Sequence, residues 1–167
     1  MSRGTCWHPG AEPRDKGVEP AVQAALVTIA RALDAPGLHA CETGAFPGTA
    51  TVALRLGLEY GTLRSYESRH EFAVAHGARE GTPDTFEPYG LTFLDSSPYS
   101  LRDEEFALWW QTARRGAFLL VHDVFDERWR KPWPLFGPPP MSRVAGPWGL
   151  GVWRKLYQRP PYGAHGS

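Results

Sequence analysis

The chain has 167 residues, 42% of them hydrophobic, and its 18 lysines and arginines balance 18 acidic residues. That length holds one domain with an adequate core, and a balanced charge without a basic run disfavours nonspecific binding to nucleic acid. No apolar run approaches the ~20 residues of a membrane span, and the polar N-terminus lacks the apolar stretch of an export signal.

Cys6 and Cys41 share no CxxC spacing, and Cys41 falls inside a strand pattern, where a small buried hydrophobe is the expectation. Together these features predict a soluble protein of a reducing compartment, either the cytoplasm or an organelle matrix.

Residues 1–18 carry Gly4, Pro9, Gly10, Pro13 and Gly17 without apolar periodicity, which predicts an extended or disordered arm. Val22, Ala25, Leu26, Ile29, Ala30 and Leu33 then follow helical spacing; Pro20 suits the first turn and Pro36-Gly37 stops the helix. A strand is predicted over 38–43 and a helix over about 48–58, with Val52, Ala53 and Leu56 facing inward and Gly57 or Gly61 near its end. Thr62–Glu67 reads as the second strand, and Ser68-Arg69-His70-Glu71 is a capping-box pattern that opens a helix.

Leu91–Asp95 is the third strand. Ser100 and Asp103 are expected to cap the next helix, whose Phe106, Trp109, Trp110 and Ala113 make one wide apolar face. Ala117–Val121 is an unbroken apolar run, the pattern of a strand covered on both faces by helices. Six prolines and three glycines between 131 and 149 exclude a regular helix or central strand there and predict a long packed loop. Gly151–Tyr157 closes the fold as a last strand before a polar tail at 158–167. The pattern predicts a doubly wound, Rossmann-like, mainly parallel α/β sheet in a single compact domain over 19–157.

In such a sheet ligands bind outside the carboxyl ends of the strands, and Glu42, Glu67, Asp95 and Asp123 each stand at one. The first of these opens Glu42-Thr43-Gly44-Ala45-Phe46-Pro47-Gly48-Thr49, a strand running through a glycine turn into a helix. Its E-x-G-x-x-x-G spacing departs from the dinucleotide fingerprint, and no Walker sequence occurs elsewhere. A carboxylate there repels a diphosphate and tolerates a cationic ligand. Glu67, ending the second strand, is the candidate acceptor for ribose hydroxyls.

On these residues the chain resembles the class I S-adenosylmethionine-dependent methyltransferases, within them the small-molecule O-methyltransferase-like group. The resemblance is carried by the Glu42–Thr49 segment, by Glu67, by Phe93-Leu94-Asp95-Ser96-Ser97, by Arg115–Asp123 and by Gly149–Lys155.

It implies S-adenosylmethionine lying across the strand ends, with Glu42, Thr43, Gly44 and Gly48 near its amino-acid portion and Glu67 with Ser68 on the ribose side. It also implies in-line methyl transfer to a hydroxyl of a small molecule, with Asp95, His122 and Asp123 as the catalytic group, His122 as a candidate base, and Asp95 and Asp123 as ligands of Mg²⁺.

Three positions depart from the family pattern. Residues 68–90 are too few for the usual helix, strand and helix, so an edge strand and its helix are expected to be missing. Pro98 stands where the group tends to place a histidine, and Val124 replaces an amide-type metal ligand.

A second reading is a catalytically inactive subunit of a larger assembly. It would dock through the arm and the segment 128–153, where Trp129, Trp133, Trp148 and Trp153 lie among prolines with Arg128, Arg130, Lys131, Arg143 and Arg154 nearby. Folding these rings back as a lid over the sheet edge is the alternative, favoured by the cost of exposed tryptophans. A nucleotide-binding module of other chemistry is a third.

Overall fold

The computed structural model describes residues 17–126, 140–144 and 148–156. In chain order the elements are α1 (Pro20–Leu33), β1 (His39–Thr43), α2 (Thr49–Gly57), β2 (Thr62–Glu67), α3 (His70–His76), β3 (Arg79–Glu80), β4 (Leu91–Leu94), α4 (Tyr99–Thr112), β5 (Phe118–His122), β6 (Ser142–Val144) and β7 (Leu150–Arg154). They build one seven-stranded sheet in the order β3-β2-β1-β4-β5-β7-β6. The first five strands in that order are parallel, and β7 runs antiparallel to both β5 and β6.

Alternation along each strand divides the core between two faces. Ala40, Leu91, Phe93 and Leu120 pack against Val22, Leu26 and Ala30 of α1 and Ala50, Ala53 and Leu54 of α2. On the other face Cys41, Leu94, Leu119 and Val121 pack with Phe106, Trp109 and Trp110 of α4 and with Trp153. The expected doubly wound sheet follows directly: β1, β4 and β5 are apolar toward both layers, and each layer supplies a complementary helix face. Burial, reinforced by Glu105 and Glu42, pushes the Cys41 thiol well up, in keeping with a packing residue rather than a reactive one.

Several local expectations change. Ala53 is buried as expected, but Val52 is 58% exposed and Leu56 65%, and α2 buries Ala50, Leu54 and Gly57 in their place. A Cβ on Gly57 would lie 2.6 Å from Ala30 Cβ and 2.7 Å from Val27 O, so α1 and α2 meet through small residues and the large ones turn outward. The capping box at 68–71 does not form: Arg69 is the N-cap of α3 without a side-chain capping bond, and Ser68 Oγ donates to Glu67 Oε1 at 3.5 Å. Helix α4 begins at Tyr99 behind Pro98, which also makes no side-chain cap, so Ser100 and Asp103 lie inside the helix rather than capping it.

The edge strand expected to be missing is present as a stub. β3 pairs Arg79 with Tyr66 and Glu80 with Glu67, and the seven-residue α3 precedes it. What is absent is a helix between β3 and β4, where Phe86 and Tyr89 fold into the α4-side core in its place.

At the N-terminal boundary Val18 is buried and donates its N–H to Thr49 Oγ1 at 3.0 Å. The rest of the expected arm, residues 1–16, and the tail at 158–167 lie outside the described residues, as do Arg128, Trp129, Arg130, Lys131 and Trp133. Of the remaining tryptophans proposed for docking, Trp153 is buried in the core and Trp148 is partly exposed. No helix among the described residues is long and apolar enough to cross a membrane.

Candidate functional site

Because β2, β1, β4 and β5 are parallel neighbours, Glu42, Glu67, Asp95 and Asp123 come together on one rim of the sheet. The turn after β1 is fastened to that rim from both sides. Tyr66 O accepts the N–H of Gly44 at 2.9 Å and of Ala45 at 3.2 Å, and a Cβ on Gly44 (φ +75°) would sit 2.4 Å from Asp95 O. Gly44 is therefore required first by the protein's own packing between β2 and β4. Gly48, at φ 96°, is the N-cap of α2 and borders a cleft of about 380 Å³ lined by Gln23, Pro47, Thr49, Thr51, Arg55 and His76.

Two acids at this end of the rim behave differently. Glu42, on the α2 side of β1, is fully buried; its Oε2 accepts the hydroxyls of Thr51 and Ser65, each at 2.7 Å. Its Oε1 is buried with no hydrogen-bond partner among the described residues. Burial outweighs the two hydroxyl bonds and pushes the Glu42 pKa up to about 7.

Glu67 is saturated from within. Oε2 accepts the Phe46 N–H at 3.2 Å, and Oε1 accepts the Arg69 N–H at 3.1 Å and Arg69 Nε at 3.2 Å as well as Ser68 Oγ. Phe46 stacks on Phe72 with centroids 4.0 Å apart, and the Arg69 guanidinium lies 4.1 Å from the Phe72 centroid.

Asp95, His122 and Asp123 meet at the ends of β4 and β5, where one ligand atom from each lies within 4.8 Å of the others. His122 Nδ1 is 3.2 Å from Asp95 Oδ1 and 3.4 Å from Asp123 Oδ1, while Nε2 is 2.8 Å from Glu19 Oε2. Two ring nitrogens that each face a carboxylate call for two N–H donors, that is, an imidazolium. Burial opposes the charge, but the Asp95 carboxylate, hydrogen bonds to Asp95 and Glu19, and Asp123 overcome it and raise the His122 pKa to about 10. For Glu19, burial is likewise outweighed, chiefly by the hydrogen bond to His122, and its pKa falls.

Arg102, 2% exposed, reaches in from α4, donating to Asp95 Oδ1 (2.9 Å), Asp123 Oδ2 (3.1 Å), His122 O (3.0 Å) and Ser96 O (3.1 Å). Tyr99 hydrogen-bonds both Asp126 and Asp123. Nearby, Glu105 accepts hydroxyls from Thr43 (2.8 Å) and Ser96 (3.0 Å), and burial lifts its pKa to about 7.

As a Mg²⁺ cage the triad does not fit. Mg²⁺ needs near-octahedral oxygen ligands, whereas the acids expected to hold it are paired with a buried guanidinium and the imidazole between them has no lone pair to offer. For S-adenosylmethionine the fit is better, because Glu42 keeps a buried acceptor without a donor beneath the turn.

The four rim acids and His122 were all legible as strand ends. Glu19, Tyr99, Arg102 and Glu105 were missed, since polar residues at helix starts and on helices ordinarily read as solvated.

No family model matches the sequence, and no curated protein matches it. Solved structures do. The O-methyltransferase from Bacillus cereus in complex with SAH aligns over 81% of this chain and 80% of its own, with TM-score 0.65 and 16% identity. Cofactor-bound Rv0187 from MTB aligns over 86% and 83%, with TM-score 0.62 and 19% identity. Precorrin-6y C5,15-methyltransferase from Geobacter metallireducens GS-15 aligns over 86% and 92%, with TM-score 0.63 and 11% identity. Likeness across four fifths or more of each chain establishes the architecture: this protein has the fold of the class I S-adenosylmethionine-dependent methyltransferases.

Proposed function

We propose that the chain binds S-adenosylmethionine along the rim of β1, β2 and β4 and transfers its methyl group to a hydroxyl of a small molecule. The observation that carries this reading is the Oε1 of Glu42, without a partner among the described residues and held under the β1–α2 turn of a fold that a methyltransferase in complex with SAH shares. A buried acceptor without a donor costs about 1–3 kcal/mol, which an ammonium group or an ordered water would offset.

The charge of the rim points the same way. Among the described residues the carboxylates of Glu19, Asp95 and Asp123 gather beside Arg102 and His122 at the strand ends, and an acidic rim suits a positively charged ligand. Balanced charge over the whole chain supports a small acceptor rather than a nucleic acid.

Thr43, Gly44 and Gly48 frame the cofactor's amino-acid end in this reading, and Glu67 with Ser68 takes the ribose once Phe46 and Arg69 release the carboxylate. When bound, S-adenosylmethionine supplies an electrophilic methyl group on a sulfonium. Asp95 is the most open of the three clustered residues, so it is the acceptor for the substrate hydroxyl's hydrogen bond and for the proton that the hydroxyl gives up as it is methylated. His122 holds its proton at neutral pH and acts as a fixed positive charge that favours an oxyanion, which replaces the role of base.

Calorimetric titration with S-adenosylmethionine and S-adenosylhomocysteine tests this reading. Saturable binding of both, weakened about tenfold or more in Glu42→Gln, supports it. No binding by the wild type overturns it in favour of a catalytically inactive subunit, the reading favoured by the internal saturation of Glu67.

A further inference from the structure

We propose that Arg102 occupies, as a permanent guanidinium, the cation position framed by Asp95, His122 and Asp123, so that this cluster operates without a divalent metal. The proposal is independent of whether the chain transfers methyl groups.

The triad has the spacing of a metal site, with ligand atoms from three residues within 4.8 Å of one another. Carboxylates brought this close at buried strand ends need a cation between them. Arg102 provides it: Nη2 binds Asp95 Oδ1 and Nη1 binds Asp123 Oδ2, one nitrogen to each acid. Two further bonds go to backbone. Nε donates to Ser96 O, just after β4, and Nη1 also donates to His122 O, the last residue of β5.

One planar group thus ties two neighbouring strand ends by side chain and by carbonyl at once, the cross-linking that a coordinated ion would otherwise supply. Unlike an ion it cannot dissociate, be chelated or lose its proton. The Tyr99 ring, 5.0 Å from the guanidinium carbon, lines its other side.

The remaining geometry excludes a second cation beside it. His122 presents each ring nitrogen to a carboxylate, Asp95 and Asp123 on one side and Glu19 on the other, so neither carries a lone pair toward the acids. A divalent ion placed among the three ligand atoms would face both the imidazolium and the guanidinium at short range.

The test is Mn²⁺ titration of the full chain followed by electron paramagnetic resonance, with thermal unfolding in EDTA and in Mg²⁺ alongside. The wild type is expected to bind no stoichiometric Mn²⁺ and to melt at the same temperature in both buffers. Arg102→Ala should melt lower, gain a Mn²⁺ site at least about tenfold tighter than any in the wild type, and recover part of its melting temperature when the metal is added.

Arg102→Gln, which keeps amide donors but removes the charge, serves if the alanine variant does not fold, and should show the same gain. Stoichiometric Mn²⁺ on the wild type overturns the proposal. So does a folded Arg102 variant that acquires no metal, because the acids would then not form a cation site at all.

Discussion

Glu19 Oε2 lies 2.8 Å from His122 Nε2, joining the residue before α1 to the last residue of β5 across 103 positions of sequence. The contact anchors the start of α1 to the acidic rim and places a carboxylate on the imidazole's second nitrogen, where it helps keep the ring charged. Glu19→Gln retains a hydrogen-bonding group and removes the anion. We expect the His122 pKa to fall from about 10 and stability to drop by about 1.5–3 kcal/mol. Histidine ring resonances followed by NMR against pH, together with urea unfolding, check both; an unmoved pKa would show that Asp95 and Asp123 suffice.

Stability should fall as pH rises across an unusually wide range. The pKa values of Glu42 and Glu105 are raised to about 7 and that of His122 to about 10, so the folded chain holds protons that the unfolded chain releases near 4.5 and 6.5. Stability from the two acids is complete below about pH 4.5 and is lost up to about 7; that from His122 is complete below about 6.5 and is lost up to about 10.

Glu19 and Asp34, with lowered pKa values, act oppositely and weaken the fold only on acidification below their unfolded values. Melting temperature is therefore expected to peak near pH 5 and decline toward 10, with Glu42, Glu105 and His122 each contributing at most about 1.4 kcal/mol per pH unit within its window. Glu42→Gln should flatten the decline between 4.5 and 7 and leave the upper part intact; a profile peaking at pH 8 would contradict the assignment.

Two glycines with positive φ separate backbone conformation from close packing. Gly44→Ala would place its Cβ 2.4 Å from Asp95 O, whereas at Gly77 (φ +61°) an added Cβ meets nothing within 4 Å. Gly44→Ala should cost about 2–4 kcal/mol through strain and overpacking combined. Gly77→Ala should cost only about 1–2 kcal/mol, the left-handed conformation alone. Equal losses in urea unfolding would show that the β1–α2 turn is less firmly held than its contacts indicate.

What was legible in the sequence was whatever local pattern determines. β1, β2, β4 and β5 are short runs closed by acids, and parallel pairing then puts those acids on one rim without further information. The errors arose where tertiary contacts reverse a local rule. Val52 and Leu56 read as inward because large apolar residues usually are, yet the close approach of α1 selects Ala53, Leu54 and Gly57.

Arg102 and Glu105 sit on a helix among charged neighbours, and the acids, hydroxyls and carbonyls beneath them make burial tolerable. β3 is two exposed residues, too short to show a period. Glu19 has no local signal, since its partner is supplied by the other end of the domain.

The stack of Phe46, Phe72 and Arg69 sets the last expectation, because it holds Glu67 in its closed arrangement. Arg69 donates to Glu67 through both its backbone N–H and Nε, and Phe46 donates through its N–H, so the carboxylate must shed these donors before it can accept a ribose hydroxyl. Phe72→Ala removes the platform on which Phe46 and Arg69 rest. An aromatic pair contributes about 0.5–1.5 kcal/mol beyond burial, so release should tighten S-adenosylmethionine binding by up to about tenfold while lowering stability by about 1–2 kcal/mol. Val74→Ala, an exposed position on the same helix, should change neither quantity. If calorimetry finds weaker binding in Phe72→Ala and none of it recovered at lower temperature, the stack forms part of the ligand site rather than a barrier to it, and Glu67 loses its assignment to the ribose.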